Sequence, residues 1–333
     1  MKYVPQLTGL RGLTALMIFV VHAVKDGFLP KAFLEGAYNK PAIIAFFILS
    51  GYLITRIYLK RDFNRENLKS YFIARSARIF PLYFFILFVS LLVTLTIYPD
   101  FHYDFTAPIK FLTTLILINS PYEPWTIPVE FQLYICFVLL WYLSKKTKTS
   151  SYVTAAGIGF LLLIVSICIA LYIHKIPHIM PSMAIFFFGG SMVAMGEENN
   201  SLSLFKKPVM IWIGRVCLLL FLLMPFTKTY LNFLFLGSWY DPFQLIILFT
   251  FFISLIANSE HFFILGFKPV VLFGEISYGF YMAHRPVLKI ARTHLGTSGL
   301  NLAIVFLITI ILAFISYKLI EEPSRKWLVK KLR

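Results

Sequence analysis

Residues 152–173 read YVTAAGIGFLLLIVSICIALYI, an apolar run of 22 residues without a charged side chain. A helix of this length is about 33 Å long, which matches the hydrocarbon core of a bilayer. A helix also satisfies its backbone hydrogen bonds within one segment, as a lipid environment requires. The run therefore predicts a membrane-spanning α-helix, and similar runs recur along the chain.

Ten apolar runs are long enough to span a membrane. Besides 152–173 they are 7–24, 41–59, 79–95, 128–143, 180–195, 209–226, 242–257, 270–290 and 300–320. The apolar segment 109–118 is too short to cross, so we expect it to be re-entrant or to lie in the interface. Because the sequence shows no internal repeat and no second soluble domain, it predicts one all-α, polytopic helical bundle over residues 1–333.

The composition excludes a soluble globule and a disordered chain. Of the 333 residues, 59% are hydrophobic and 14% are charged, whereas about 25% of the residues of a soluble domain are charged. So little charge cannot cover a water-facing surface, and disorder requires low hydrophobicity. A surface that faces lipid explains both the high hydrophobic fraction and the low charged fraction.

The net charge of +16 is better explained by membrane topology than by nucleic-acid binding. Lys and Arg gather in the cytoplasmic loops of membrane proteins. With the N-terminus inside, the predicted spans put nineteen basic residues in cytoplasmic segments and eight in outer ones. We therefore expect both termini in the cytoplasm and no nucleic-acid partner.

Arg11 and His22 are ionisable residues inside the first predicted span, where such residues are costly and often functional. Their spacing of 11 residues puts them on one helix face, about 16 Å apart along the axis. Arg11 would lie near the cytoplasmic edge, and the titratable His22 near the outer one. Two explanations stay open: a functional stripe, or an arginine that snorkels to the interface and a histidine that caps the helix.

Glu130 begins the span 128–143 just after Pro128. An acidic residue in a first helical turn suits the helix dipole, which is a purely structural explanation. However, this span enters from outside, so Glu130 would lie in the same leaflet as His22. A carboxylate beside an imidazole can act as the orienting partner of a general base.

The span 270–290 carries Tyr278, Tyr281 and His284 at steps of three, on one side of a helix. A structural, hydrogen-bonded role for His284 is an open alternative to a functional one. Arg285 follows directly and requires a polar surrounding or the outer interface.

Arg75 and Arg78 precede the span 79–95 on the predicted cytoplasmic side and are neighbours on a helix. Arginine forks bind phosphate groups bidentately. Basic residues beside a span also anchor topology and bind anionic lipid, so both explanations stay open. The three cysteines lie inside apolar runs without paired spacing, and we expect neither a disulfide framework nor a metal site.

Six motifs in order resemble the integral-membrane acyltransferase family 3, which includes O-acetyltransferases of bacterial surface polysaccharides and Nod factors. The first, residues 8–13 followed by His22, is similar to the Arg-X10-His motif that opens the family. The others are 46–54, the Arg75-X-X-Arg78 pair, 125–134, 277–286 and 320–323. Thr8 stands where Asp is common, and Met282-Ala283 replaces the more usual leucines.

The resemblance implies a stand-alone, ten-span enzyme of a bacterial cytoplasmic membrane. Acetyl-CoA or a related acyl-CoA from the cytoplasm would donate an acyl group to a hydroxyl of a lipid-linked sugar or a surface glycan. The implied roles are a base and its orienting partner (His22 and Glu130), cations for the CoA arm and phosphates (Arg11, Arg75 and Arg78), and substrate contacts (Trp125, Tyr134, Tyr281 and His284).

Two alternatives stay open. Transfer through an acylated side chain would use Ser50, which lies in a glycine-containing motif. A transporter or flippase would use His22, Glu130 and His284 as a proton relay. The absence of an inverted repeat and of matching broken helices disfavours transport.

Overall fold

The computed structural model describes residues 3–30, 39–146, 150–173, 180–227 and 239–332. All regular secondary structure in these ranges is helical, which confirms the all-α class. The α-helices are α1 (Pro5–Lys25), α2 (Lys40–Tyr58), α3 (Arg65–Thr96), α4 (Pro108–Leu115), α5 (Thr126–Lys146), α6 (Ser151–Ile173), α7 (Met180–Glu198), α8 (Pro208–Thr227), α9 (Pro242–Ala257), α10 (Phe263–Gly266), α11 (Lys268–Glu275), α12 (Ser277–His294), α13 (Gly299–Ser316) and α14 (Glu322–Leu332). A π-helical turn, Tyr317–Glu321, joins α13 to α14.

Within the described ranges, six segments are long and apolar enough to cross a bilayer: Pro5–Lys25, Lys40–Tyr58, Arg65–Thr96, Glu123–Lys146, Ser151–Ile169 and Gly299–Lys331. Two shorter apolar helices are Pro208–Met224 and Pro242–Ala257. Leu307 and Ile311 of α13 are more than half exposed, as a lipid-facing surface requires. The chain is therefore a helical membrane protein.

The count of ten spans and the cytoplasmic location of both termini stay predictions. Several basic residues that entered the comparison of loop charge lie outside the described residues: Lys2, Lys31, Lys148, Lys175, Lys228 and Arg333.

α3 extends well beyond the predicted span 79–95. It begins at Arg65, because the side chain of Asn64 accepts a hydrogen bond from the backbone N–H of Asn67 at 2.8 Å. The helix is 32 residues long, so Arg75 and Arg78 belong to the same helix as that span.

The predicted span 270–290 is interrupted at Ile276, which lies between α11 and α12. The hydroxyl of Ser277 donates to the carbonyl of Gly274 at 2.8 Å, which supplies a side-chain partner for the end of α11. The segment 109–118 largely forms α4, whose eight residues are too short to cross a bilayer.

The chain forms two compact units. Unit 1 comprises Met1–Phe46 and Gly196–Ala313, and unit 2 comprises Phe47–Met195 and Phe314–Arg333. In unit 1, α1 packs against α10, α11 and α12, and α8 packs against α9. The single domain expected over residues 1–333 stays a prediction.

Unit 2 has an aromatic core between α3 and α5. Tyr71, Phe137 and Trp141 are fully buried, with ring centroids between 5.8 and 6.5 Å apart. The indole N–H of Trp141 donates to the carbonyl of Arg61 at 2.9 Å, which satisfies its one polar atom. This packing, together with α14 against α3, holds the part of α3 that carries the two arginines.

Also in unit 2, α2 and α7 cross with their backbones in contact. A Cβ on Gly51 would lie 1.9 Å from the carbonyl oxygen of Phe187, and one on Gly190 would lie 2.0 Å from that of Ile48. Small residues commonly allow membrane helices to approach in this way. The glycine of the motif 46–54 is therefore required by packing.

Gly51→Ala is expected to lower the apparent melting temperature of the purified protein, because overpacking typically costs about 1–3 kcal/mol. Gly157→Ala in α6 is the matched control, since no atom of the described residues beyond its own stretch of helix lies within 4 Å of a Cβ there. It should be neutral or slightly stabilising, because Ala is favoured over Gly inside a helix. Thermal unfolding of both variants in one detergent checks this, and equal melting temperatures would contradict the close crossing.

Candidate active site

α1 carries the two ionisable residues predicted on one helix face. The helix is continuous from Pro5 to Lys25, so Arg11 and His22 lie about three turns apart on it. His22 is 6% exposed, whereas Arg11 is partly exposed. Burying a polar group without a partner is costly, so the buried His22 ring is expected to have hydrogen-bond partners.

His22 of α1 lies against His284 of α12. Nδ1 of His22 and Nε2 of His284 are 3.0 Å apart. The ring centroids are 5.1 Å apart and the ring planes are inclined by 22°, so the two rings are nearly parallel. Since His284 is 1% exposed, the hydrogen bond is buried. The structure thus brings a predicted catalytic residue together with a predicted substrate-binding one.

The other nitrogen of each ring also has a partner. Nδ1 of His284 lies 2.6 Å from the carbonyl oxygen of Tyr281. Nε2 of His22 lies 3.2 Å from Nδ2 of Asn39, the residue just before α2. The four residues therefore form a chain of hydrogen bonds, which we name the imidazole chain: Tyr281 carbonyl, His284, His22 and Asn39. The ring of Tyr281 also lies 5.6 Å from that of His284.

Asp26 neutralises Arg285, the charged neighbour of His284. The Arg285 guanidinium donates to the Asp26 carboxylate, and Arg292 lies 3.9 Å from the other carboxylate oxygen. This mostly buried ion pair offsets the free-energy cost of burying the Arg285 charge, and it connects the end of α1 to α12.

In unit 2, Glu130 of α5 is 3% exposed and accepts two hydrogen bonds on Oε1. One comes from the hydroxyl of Ser50 at 2.7 Å, and the other from the hydroxyl of Tyr134, one helical turn later. The structure therefore joins the predicted catalytic carboxylate to a predicted substrate-binding tyrosine. The pairing of Glu130 with His22, a residue of unit 1, stays a prediction.

Arg75 of α3 is held by aromatic rings. Its guanidinium carbon lies 5.8 Å from the ring centroid of Tyr58 and 5.9 Å from that of Tyr134, within the range of a cation–π interaction. Its Nε is buried and has no hydrogen-bond partner among the described residues. A guanidinium held in this way retains N–H donors for an anion.

Arg78 lies one turn after Arg75, in the electrostatic surroundings of Tyr134 and Glu321. Glu321 ends the π-helical turn before α14. Arg78 thus has Glu321 as an acidic neighbour, whereas Arg75 lies against two tyrosine rings and in the electrostatic surroundings of Glu130.

Trp125 ends a 3₁₀ turn, Glu123–Trp125, directly before α5. The side chain is half-buried, and its ring centroid lies 6.5 Å from that of Phe47. Trp125 and Glu130 are thus held at the start of one helix in unit 2.

Sequence reasoning missed Asn39 and Asp26 as members of this arrangement. Their only signal in the sequence is that they are polar residues directly beside predicted spans with ionisable residues in or near them. Within the described ranges, no group of three or more His, Cys, Asp or Glu residues could hold a metal ion.

The chain as a whole matches a known class of acyltransferases. The family model for the acyltransferase domain of acyltransferase family 3 matches residues 4–318. The chain belongs to this family, which confirms the resemblance drawn from its motifs and its assignment as an acyltransferase.

Several curated relatives are similar over nearly the whole chain. A protein of Staphylococcus aureus (strain COL) is 27% identical, over 100% of this chain and 59% of its own length. The peptidoglycan O-acetyltransferase OatA of Listeria monocytogenes is 26% identical, over 98% of this chain and 56% of its own length. The O-acetyltransferase OatA of Staphylococcus aureus (strain NCTC 8325) is 24% identical, over 98% and 58%.

The chain therefore spans less than two thirds of the length of the relatives it matches. No solved structure matches it.

Proposed function

We propose that this protein is a membrane O-acetyltransferase that transfers an acetyl group from acetyl-CoA to a hydroxyl of a carbohydrate. The observation that carries the proposal is the buried imidazole pair, His22 and His284, with ring nitrogens 3.0 Å apart in a chain of the acyltransferase family. Histidine is the side chain most often used as a general base. Relatives named O-acetyltransferases support the acetyl group and the ester product.

In this mechanism His22 is the general base. Its imidazole takes the proton of the acceptor hydroxyl while the hydroxyl oxygen attacks the thioester carbonyl of acetyl-CoA. The C–S bond then breaks, and the imidazolium returns the proton to the departing thiolate. The products are an O-acetyl ester and the free thiol of CoA, so atoms and charges balance without an acyl-enzyme.

Arg75 and Arg78 are proposed to bind the phosphates of the acyl donor, with Arg11 as a third cation for the CoA arm. The N–H groups of Arg75 suit an anion because its Nε is buried without a hydrogen-bond partner among the described residues. A phosphate offers oxygens that match the guanidinium fork. The charge of the surrounding loops predicts that these residues face the cytoplasm, where acetyl-CoA is supplied.

The proposed acceptor is a lipid-linked sugar or a surface glycan of a bacterium. The Listeria relative is named for peptidoglycan, which supports a carbohydrate acceptor. Trp125, Tyr134 and Tyr281 combine an aromatic face with a polar tip, the combination that suits a sugar ring. The enzyme would work as a multi-pass protein of the cytoplasmic membrane.

His22→Ala is expected to lower kcat for acetyl transfer by about 10²–10⁴-fold, because general-base catalysis is worth that much. The rate of acetyl transfer is measured with purified protein in nanodiscs, labelled acetyl-CoA and a carbohydrate acceptor. Size-exclusion chromatography checks that the variant is folded. His261→Ala, at an exposed histidine of unit 1, is the matched control and should transfer normally. Normal transfer by a folded His22→Ala protein would contradict the role of His22.

Arg75→Ala is expected to raise KM for acetyl-CoA roughly tenfold, because a hydrogen bond to a charged group is worth about 1.5–3 kcal/mol. kcat at saturating donor should change much less. Arg65→Ala removes the same charge from an exposed position of the same helix and should leave KM unchanged. If both variants keep the wild-type KM, the arginine pair serves topology rather than donor binding.

A further inference from the structure

We propose that His284 is a positioning residue that holds His22 in the tautomer with its proton on Nδ1, so that Nε2 is the basic atom. The inference rests on the proposed function, in which His22 is the general base. Sequence reasoning gave an orienting role to the carboxylate of Glu130, and that pairing stays a prediction. The geometry of unit 1 points to a second imidazole beside His22.

The Tyr281 carbonyl determines the proton position on His284. A backbone carbonyl can only accept a hydrogen bond, and it lies 2.6 Å from Nδ1 of His284. Nδ1 must therefore carry a proton. In a neutral imidazole the other nitrogen is then an acceptor, so Nε2 of His284 offers its lone pair.

The lone pair of His284 determines the proton position on His22 in the same way. Nε2 of His284 is 3.0 Å from Nδ1 of His22, so that Nδ1 is the donor. Nε2 of His22 is then an acceptor, and the amide nitrogen of Asn39 at 3.2 Å is a donor. Every member of the chain has a compatible partner with both rings neutral, so this assignment follows from the hydrogen-bond network.

The arrangement selects a tautomer that water does not favour, because the Nε2–H form of a histidine side chain is the more populated one in solution. Two features hold the His284 ring in the position that these hydrogen bonds require. His284 packs between aromatic rings, stacked on Phe280 with centroids 6.4 Å apart and edge-on to Phe19 at 6.5 Å. The ion pair of Arg285 with Asp26 holds the adjacent position of α12 against the end of α1.

The tautomer has a direct consequence for catalysis. The acceptor hydroxyl takes the position of the Asn39 amide and donates to Nε2 of His22. When the proton moves to Nε2, the new imidazolium still donates its Nδ1–H to the lone pair of His284, which stabilises the positive charge. His284 keeps its own proton throughout, and it acts only through His22.

Nitrogen NMR of protein labelled with ¹⁵N-histidine in bilayers tests the assignment without an activity assay. The two ring-nitrogen shifts distinguish the Nδ1–H form from the Nε2–H form. His22 and His284 are both expected to show the Nδ1–H pattern. Those signals are assigned by their loss in His22→Gln and His284→Gln. The Nε2–H pattern at His22 would overturn the proposal.

Two substitutions at His284 test the positioning role. His284→Gln keeps an acceptor oxygen near the position of Nε2, whereas His284→Leu keeps only similar bulk. We expect kcat to fall about 10–10²-fold in His284→Leu, a part of the contribution of the general base. In His284→Gln we expect less than a tenfold loss, with KM for acetyl-CoA nearly unchanged in both.

His294→Leu is the matched control on the same helix, at an exposed position, and should keep the wild-type kcat. Equal kcat for His284→Leu and wild type would overturn the positioning role. If His22→Ala still abolishes transfer in that case, the proposed function stands. Equal losses in His284→Gln and His284→Leu would overturn it as well, because the effect would then be one of shape. Full transfer by His22→Ala would overturn the proposed function itself.

Discussion

A hydrogen bond between two buried imidazoles constrains the arrangement of unit 1. A buried polar side chain is costly without a partner, so the hydrogen bond between His22 and His284 favours the packing of α1 against α12. That contact fixes the rotation of both helices about their axes. The ion pair between Asp26 and Arg285 then fixes their relative position along the same surface. The buried imidazole pair is thus held by two helices, α1 and α12.

In unit 2, buried polar side chains also need partners, but the partners are of a different kind. The carboxylate of Glu130 receives hydrogen bonds from two hydroxyl groups, those of Ser50 and Tyr134. Arg75 lies on tyrosine rings instead, and its buried Nε has no such partner within the described ranges. Aromatic rings stabilise the charge of a guanidinium without occupying its N–H donors. The guanidinium of Arg75 therefore keeps an N–H donor without a partner among the described residues.

The sequence predicts well what local periodicity determines. The span predicted at 7–24 is α1, Pro5–Lys25, and Arg11 and His22 lie on this one helix. The contact of His22 with His284 could not be predicted from the sequence. The two residues are 262 positions apart, and helical spacing does not say which faces of distant helices meet. The break at Ile276 was also missed, because apolar content does not reveal where a hydroxyl ends a helix.

The most direct test of the account is the base-labile acetyl ester content of surface glycans. The measurement compares cells that lack this protein with the same cells complemented by the wild-type chain or by His22→Ala, at equal amounts of protein in the membrane. The account predicts that the wild-type chain restores acetyl esters to the glycan and that the variant does not. Identical ester content in all three strains would contradict it.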